Sequence, residues 1–490
     1  AQYPGARIYS TTEEFDTEGN QTAITYPSGM KILYELDAAN RISRVRRLQA
    51  GVWTAPVSTI RYAPEGPLTS MIYEDGVTET RTYDSSYRLI AVNDSSPASV
   101  LRNLAFGYDL RDDIVSIGDL QSPANDETYT YSRRQQVSKA VGPYGDFSYT
   151  QDKTGNRATF SITTGATVVK DSYSYLTTNN RLRLISLGTG GTRNFTFDGA
   201  GNVITDARTG SSYTYGYNSA GRMDSVSLNG VLQASYQYDY AGRQVLRSLA
   251  SGVTIQSVFD SMGRRIAEYD QATGALIREY IWMEDEPVAV IEGGVISYVR
   301  VDRIGRPVFA TNASGIIVWT AAYDPFGTLR ASTGTPINLR FPGQWFQVES
   351  GLHQNWMRDY DPTTGRYLQA DPLGLIDGPS IYGYAWQNPV RWTDPTGEQV
   401  AEVIKGVVGG SELGGLGIGG GILGPIGLTI GLIVSPSTLG DGTLPQSANT
   451  SDGEQCLANR DGCIRRCTQL SLPTNDYGIS FFRCMRACES

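Results

Sequence analysis

The stretch "FDGAGNV" (Phe197–Val203) is followed by "YNSAGRM" (Tyr217–Met223), "YDYAGRQ" (Tyr238–Gln244) and "FDSMGRR" (Phe259–Arg265), with starts 20, 21 and 21 residues apart. Each copy reads aromatic, Asp or Asn, two free positions, Gly, then Arg or Asn. Asp and Gly are turn chemistry, with Gly supplying a positive φ. The flanks alternate, as in "SYTYGY" (Ser212–Tyr217), "ASYQYDY" (Ala234–Tyr240) and the returning "RMDSVSLNG" (Arg222–Gly230). Alternation puts the aromatics on one face of a strand. Each unit is therefore about one hairpin. Looser copies stand earlier, "YDSSYRLI" from Tyr83, "YDLRDDI" from Tyr108 and "QDKTGNR" from Gln151. No stretch from 1 to 330 carries helical periodicity with caps. The pattern predicts a mainly β body of successive antiparallel hairpins, each burying its face against the next.

Composition agrees. The chain has 490 residues, enough for a large core and more than one domain. Tyr outnumbers Phe by 30 to 13, which suits half-buried pleated surfaces where the hydroxyl keeps a polar partner. The formal charge of −9 argues against nucleic acid as a partner. One histidine, His353, argues against His-rich metal sites and His-dependent nucleophilic catalysis. All five Cys lie between Cys456 and Cys488, so cysteine belongs to the tail. The first residues, "AQYPGARIYSTTEEF", show no initiator Met and no secretory signal pattern, so the chain is expected to begin after processing or at a fragment edge.

The Tyr-Asp-x-x-Gly-Arg unit resembles the repeat of the Rhs/YD-repeat family, also found in the C component of bacterial Tc toxins and in teneurins. Residues 323–398 resemble that family's Rhs-associated core in order: Phe341-Pro342-Gly343-Gln344, Glu349-Ser350-Gly351-Leu352, Tyr360-Asp361-Pro362, Thr364-Gly365-Arg366-Tyr367, Asp371-Pro372-Leu373-Gly374-Leu375, Tyr382-Gly383-Tyr384, Asn388-Pro389 and Asp394-Pro395-Thr396-Gly397. The resemblance covers about residues 30–398. It implies a spiral antiparallel sheet closed into a hollow shell over 1–322, a core over 323–398, and a variable C-terminal cargo held inside. A shell of under 400 residues is small for that family, and an incomplete shell is the alternative.

Two Asp-Pro-x-Gly units, starting at Asp371 and Asp394, stand 23 residues apart. By residue type alone they are turns, and Arg358 could pair with its neighbours Asp359 or Asp361. The resemblance implies another use: an aspartyl peptidase that cuts its own chain, with Asp371, Asp394 and Arg358 as catalytic residues. Two close carboxylates share a proton, one activating water while the other polarises the carbonyl, and an Arg steadies the oxyanion. The cleavage site is then Glu398, where the family usually has Leu or Met. A carboxylate there brings charge beside the dyad, so self-cleavage is expected to turn on how Glu398 is accommodated.

Beyond Glu398 the composition changes. Residues 399–455 form a Gly-rich apolar leader and linker. Within them 413–434 is a 22-residue uncharged run with nine Gly, long enough to span a bilayer. Its Gly content and Pro425 disfavour a helix, leaving two readings, a membrane-active segment or a leader threaded through the shell. Residues 456–490 carry Cys463-x3-Cys467 and Cys484-x3-Cys488, a spacing that puts each pair on one helix face. A small helical hairpin follows, stapled Cys463–Cys488 and Cys467–Cys484, or holding zinc on the same four thiolates. The resemblance implies export, which favours disulfides and no cofactor.

The functional expectation is a bacterial polymorphic toxin fragment, secreted or at the cell surface, that encloses and delivers residues 399–490. Its implied partners are its own cargo, an immunity protein, export machinery and, through 413–434, a membrane. The opposing reading is a non-toxic surface protein for adhesion or carbohydrate binding with a structural tail.

Overall fold

A computed structural model describes residues 7–64, 66–376 and 378–402. The tail predictions (the apolar segment 413–434, the helical hairpin and its four cysteines) lie outside the described residues. Among the described residues, thirty strands form one antiparallel sheet, from β1 (Thr12–Phe15) to β30 (Leu329–Thr333). Each strand pairs with the one before and the one after it in the chain, giving a continuous meander. The sheet runs past residue 322 into the segment that resembles the Rhs core. The helical elements among the described residues are two 3₁₀ turns, at Pro123–Asn125 and Ala385–Gln387.

The repeat has a mechanical meaning at each turn. In "YDYAGRQ", Asp239 Oδ1 accepts the backbone N–H of Ala241 at 3.0 Å and of Arg243 at 2.9 Å. Asp239 Oδ2 accepts Arg243 Nε at 2.7 Å, so one carboxylate fixes the backbone and holds the Arg. Gly242 takes φ +79°, where a Cβ would be strained. The pairing register slips by one residue between Gln237 and Tyr238, a bulge that lets the aromatic turn inward. Tyr238 Oη then donates to Met223 O of the preceding hairpin at 2.6 Å. Tyr108, Tyr175 and Tyr217 reach back in the same way to Leu89 O, Arg157 O and Val203 O. Where the aromatic of the repeat is tyrosine it thus ties its hairpin to the one before, which Phe197 and Phe259 cannot do.

The meander coils back on itself. Tyr26 Oη donates to Tyr280 O at 2.6 Å and Tyr34 Oη to Trp282 O at 3.1 Å. Arg81 pairs with Glu286 at 2.7 Å, and the fully buried Arg300 faces Asp75 at 3.4 Å. No pairing joins β1 to β30 among the described residues, so the sheet is a coil, not a closed barrel. Inside it sits a second sheet, β31 (Gln344–Gln347), β32 (Leu352–Asn355), β33 (Arg358–Asp361) and β34 (Arg366–Tyr367). Its surroundings touch three arcs of the wall. Trp345 packs with Tyr280, Leu352 and Leu368 with Tyr236 and Phe195, and Phe326 with Phe147 and Tyr149.

Candidate active site

The site begins at the turn between β32 and β33. Trp356 takes φ +44° and its Nε1 donates to Ala241 O at 2.8 Å, anchoring the turn on the wall. The turn brings Asn355 and Arg358 to the point where both Asp-Pro-x-Gly units arrive. Each unit is a turn: Asp371 Oδ1 accepts Leu373 N at 2.8 Å, and Asp394 Oδ1 accepts Glu398 N at 3.0 Å and Gln399 N at 3.1 Å. Their other oxygens face one guanidinium. Arg358 Nη1 lies 2.8 Å from Asp371 Oδ2, and Nη2 lies 2.9 Å from Asp394 Oδ2. Turn and shared site are therefore one arrangement.

Arg358 does not use its sequence neighbours. Asp361 pairs with Arg193 at 2.9 Å, and Asp359 Oδ2 accepts Gln369 Nε2 at 2.6 Å. Arg358 Nε instead donates to Gly397 O at 2.5 Å, one residue before Glu398. Among the described residues no hydrogen bond links Asp371 to Asp394 directly; the guanidinium stands between them. Gly397 is required in the loop: it has φ +71°, and a Cβ would lie 2.4 Å from Asn355 O. Short strands β35 (Trp392–Thr393) and β36 (Ala401–Glu402) pair beneath, drawing the chain after Glu398 back beside the chain before Asp394.

Two further residues complete the cluster. Tyr367 Oη donates to Asp394 Oδ2 at 2.8 Å, and its ring lies under Arg358 at 3.8 Å from guanidinium to centroid. Asn355 Nδ2 donates to Tyr367 Oη and to Asp394 O, both at 2.7 Å. Sequence reasoning did not single these two out, although Tyr367 closes the quoted "TGRY" and Asn355 stands three residues before Arg358. A tyrosine or asparagine in a strand carries no signal of its own.

The electrostatics are those of a nearly dry site. Arg358 and Asp394 are buried, at 2% and 1% exposed. Burial raises the Asp371 carboxyl above its usual range, opposed first by Arg358. Burial also raises Glu398, opposed first by Arg222. Burial and the Asp394 charge push the Tyr367 hydroxyl well above the usual phenol range, so it acts as a donor. His353 is buried, stands 2.7 Å from Gln344 Oε1 and is held neutral by burial, a structural role.

A coiled antiparallel repeat sheet, wrapped around a small sheet that clamps two Asp-Pro turns on one arginine, defines a YD-repeat shell protein. The family model described as Teneurin YD-shell matches residues 55–377, and the chain belongs to this Rhs/YD-repeat family. It is 28% identical over 241 residues to Double-stranded DNA deaminase toxin A of Burkholderia cenocepacia, covering 41% of this chain and 17% of that protein. It is 25% identical over 361 residues to Toxin protein Tse5 of Pseudomonas aeruginosa, covering 61% and 27%. The crystal structure of TcdB2-TccC3-Cdc42 superposes with a TM-score of 0.69 at 20% identity, over 80% of this chain and 22% of that one. The chain thus matches less than a third of the length of each of these relatives.

Proposed function

We propose that the chain is the shell-and-core portion of an Rhs-type polymorphic toxin, which encloses residues 399–490 and frees them by cutting itself after Glu398. The observation that carries this is the convergence of Arg358 on Asp371, Asp394 and Gly397 O, with Asp394 Oδ1 beside the nitrogen of Gln399. That nitrogen is the leaving group of the Glu398–Gln399 peptide. In this reading Asp394 takes a proton from the attacking water, and the hydroxide adds to the Glu398 carbonyl carbon. Asp371, whose burial favours its protonated form, donates to the carbonyl oxygen while Arg358 steadies the developing charge. As the C–N bond breaks, Asp394 passes its proton to the Gln399 nitrogen and the former carbonyl oxygen returns its proton to Asp371. One water is consumed and the products are the new α-carboxylic acid of Glu398 and the free amine of Gln399.

The toxin names of the relatives support a delivered cargo. The cargo of this chain acts at a target membrane through 413–434, after export from a bacterium that keeps an immunity protein against it. Expression of residues 399–490 alone, with and without export to the periplasm, tests this part. Growth arrest supports it; unchanged growth and membrane potential oppose it.

A further inference from the structure

One turn of the repeat keeps the Arg at its fifth position but has no Asp at its first. In five other turns the leading Asp holds the Arg four residues on, Asp37–Arg41, Asp84–Arg88, Asp239–Arg243, Asp260–Arg264 and Asp302–Arg306, at 2.6 to 3.0 Å. At 218–222 the leading residue is Asn218. Its Oδ1 still accepts Ala220 N and Arg222 N at 3.0 Å each, so the turn itself is intact. The amide carries no charge, and Arg222 is released from its own turn.

The released guanidinium goes to the core. Arg222 Nη1 donates to Met357 O at 3.3 Å, and Nη2 lies against Met357 Sδ. Met357 N in turn donates to Thr396 O at 3.0 Å, two residues before Glu398. Arg222 Nε is buried with no hydrogen-bond partner, and no carboxylate lies within ion-pair distance of Arg222 among the described residues. The side chain is thus a cation placed beside the cleavage loop with donor capacity to spare.

We propose that Arg222, set free by Asn218, is the specificity residue that receives the acidic side chain of Glu398 where the family usually has an apolar one. The proposal rests on the self-cleavage reading. It answers the difficulty that reading raises: a carboxylate at the cut adds negative charge beside Asp371 and Asp394, and Arg222 offsets it. The charged groups that act on Glu398 are Arg222, Asp394, Arg358 and Asp371, and Arg222 is the foremost of those favouring its ionised form.

The test uses the full chain and follows appearance of the 1–398 fragment during cell-free synthesis. Asn218→Asp supplies the carboxylate that the other turns have and recaptures Arg222 without harming the fold. Cleavage is expected to slow about tenfold, the loss of one offsetting charge near Glu398. The same change in a Glu398→Leu background is expected to have no effect, and Arg222→Glu with Glu398→Arg is expected to cut faster than Arg222→Glu alone. Equal slowing by Asn218→Asp in both backgrounds, or none in either, would overturn the proposal. A second readout is independent of cutting. In the Asp371→Asn chain, the carbon-13 titration of Glu398, assigned with Glu398→Gln, is expected to move to higher pH on Arg222→Met. An unmoved titration sinks the proposal. An uncut wild-type chain with a moved titration sinks the self-cleavage reading and leaves the electrostatic action of Arg222 on Glu398 standing.

Discussion

Asp394 Oδ1 accepts the backbone N–H of Gln399 at 3.1 Å, so the carboxylate of the second Asp-Pro turn rests on the nitrogen that a cut after Glu398 would release. The same carboxylate takes Arg358 and Tyr367 on its other oxygen. In the self-cleavage reading, turn formation and catalysis make the same demand on this residue.

Arg358→Met is expected to destabilise the chain as well as stop cleavage. It leaves two buried carboxylates without their counter-charge, a change that costs about 3–5 kcal/mol. Thermal unfolding of the purified variant checks this, and a melting temperature equal to wild type would show that Arg358 is not the clamp described above.

Tyr367→Phe keeps the ring under Arg358 and removes the hydroxyl from Asp394. Loss of one hydrogen bond to a charged group is worth about 1.5–3 kcal/mol, so cleavage is expected to slow by about tenfold or more while the fold survives. The time course of fragment appearance measures this directly.

Asp359 gives a pH prediction. It is buried beside Gln369, and burial raises its carboxyl to about 7. Its folded pKa lies above its unfolded value, so the stability linked to its proton is present below the unfolded pKa and is lost as pH rises through the folded one. Between about pH 4 and pH 7 wild type is expected to lose stability relative to Asp359→Asn, with a constant difference above that range. Paired unfolding curves at several pH values test it; a difference that does not change with pH would contradict it.

Tyr238→Phe tests the tie between hairpins. It removes the donor to Met223 O inside the wall, at a cost of about 0.5–1.5 kcal/mol. The unexposed position means packing is otherwise unchanged, and denaturant unfolding reads the loss.

Much of the wall was legible because its signals are local. Alternation marks the strands, and Asp-x-x-Gly-Arg marks turns whose Asp carboxylate bonds fall within four residues. The looser copies were legible too, though there the left-handed position falls to Tyr87 and Asp112, at φ +59° and +64°, without glycine's freedom. The coiling was not legible. Contacts such as Tyr26 to Tyr280 span about 250 residues and leave no trace in either strand. At the site, resemblance picked out Arg358, Asp371 and Asp394, and the structure brings them together. The arginine's position between the carboxylates, the supporting Tyr367 and Asn355, and the contact of Arg222 with Met357 depend on tertiary placement alone.

The intact mass of freshly made full-length protein tests the central claim most directly. The account predicts two species, residues 1–398 and 399–490, from wild type, and one uncut species from Asp371→Asn or Asp394→Asn. A single full-length mass from wild type would contradict it.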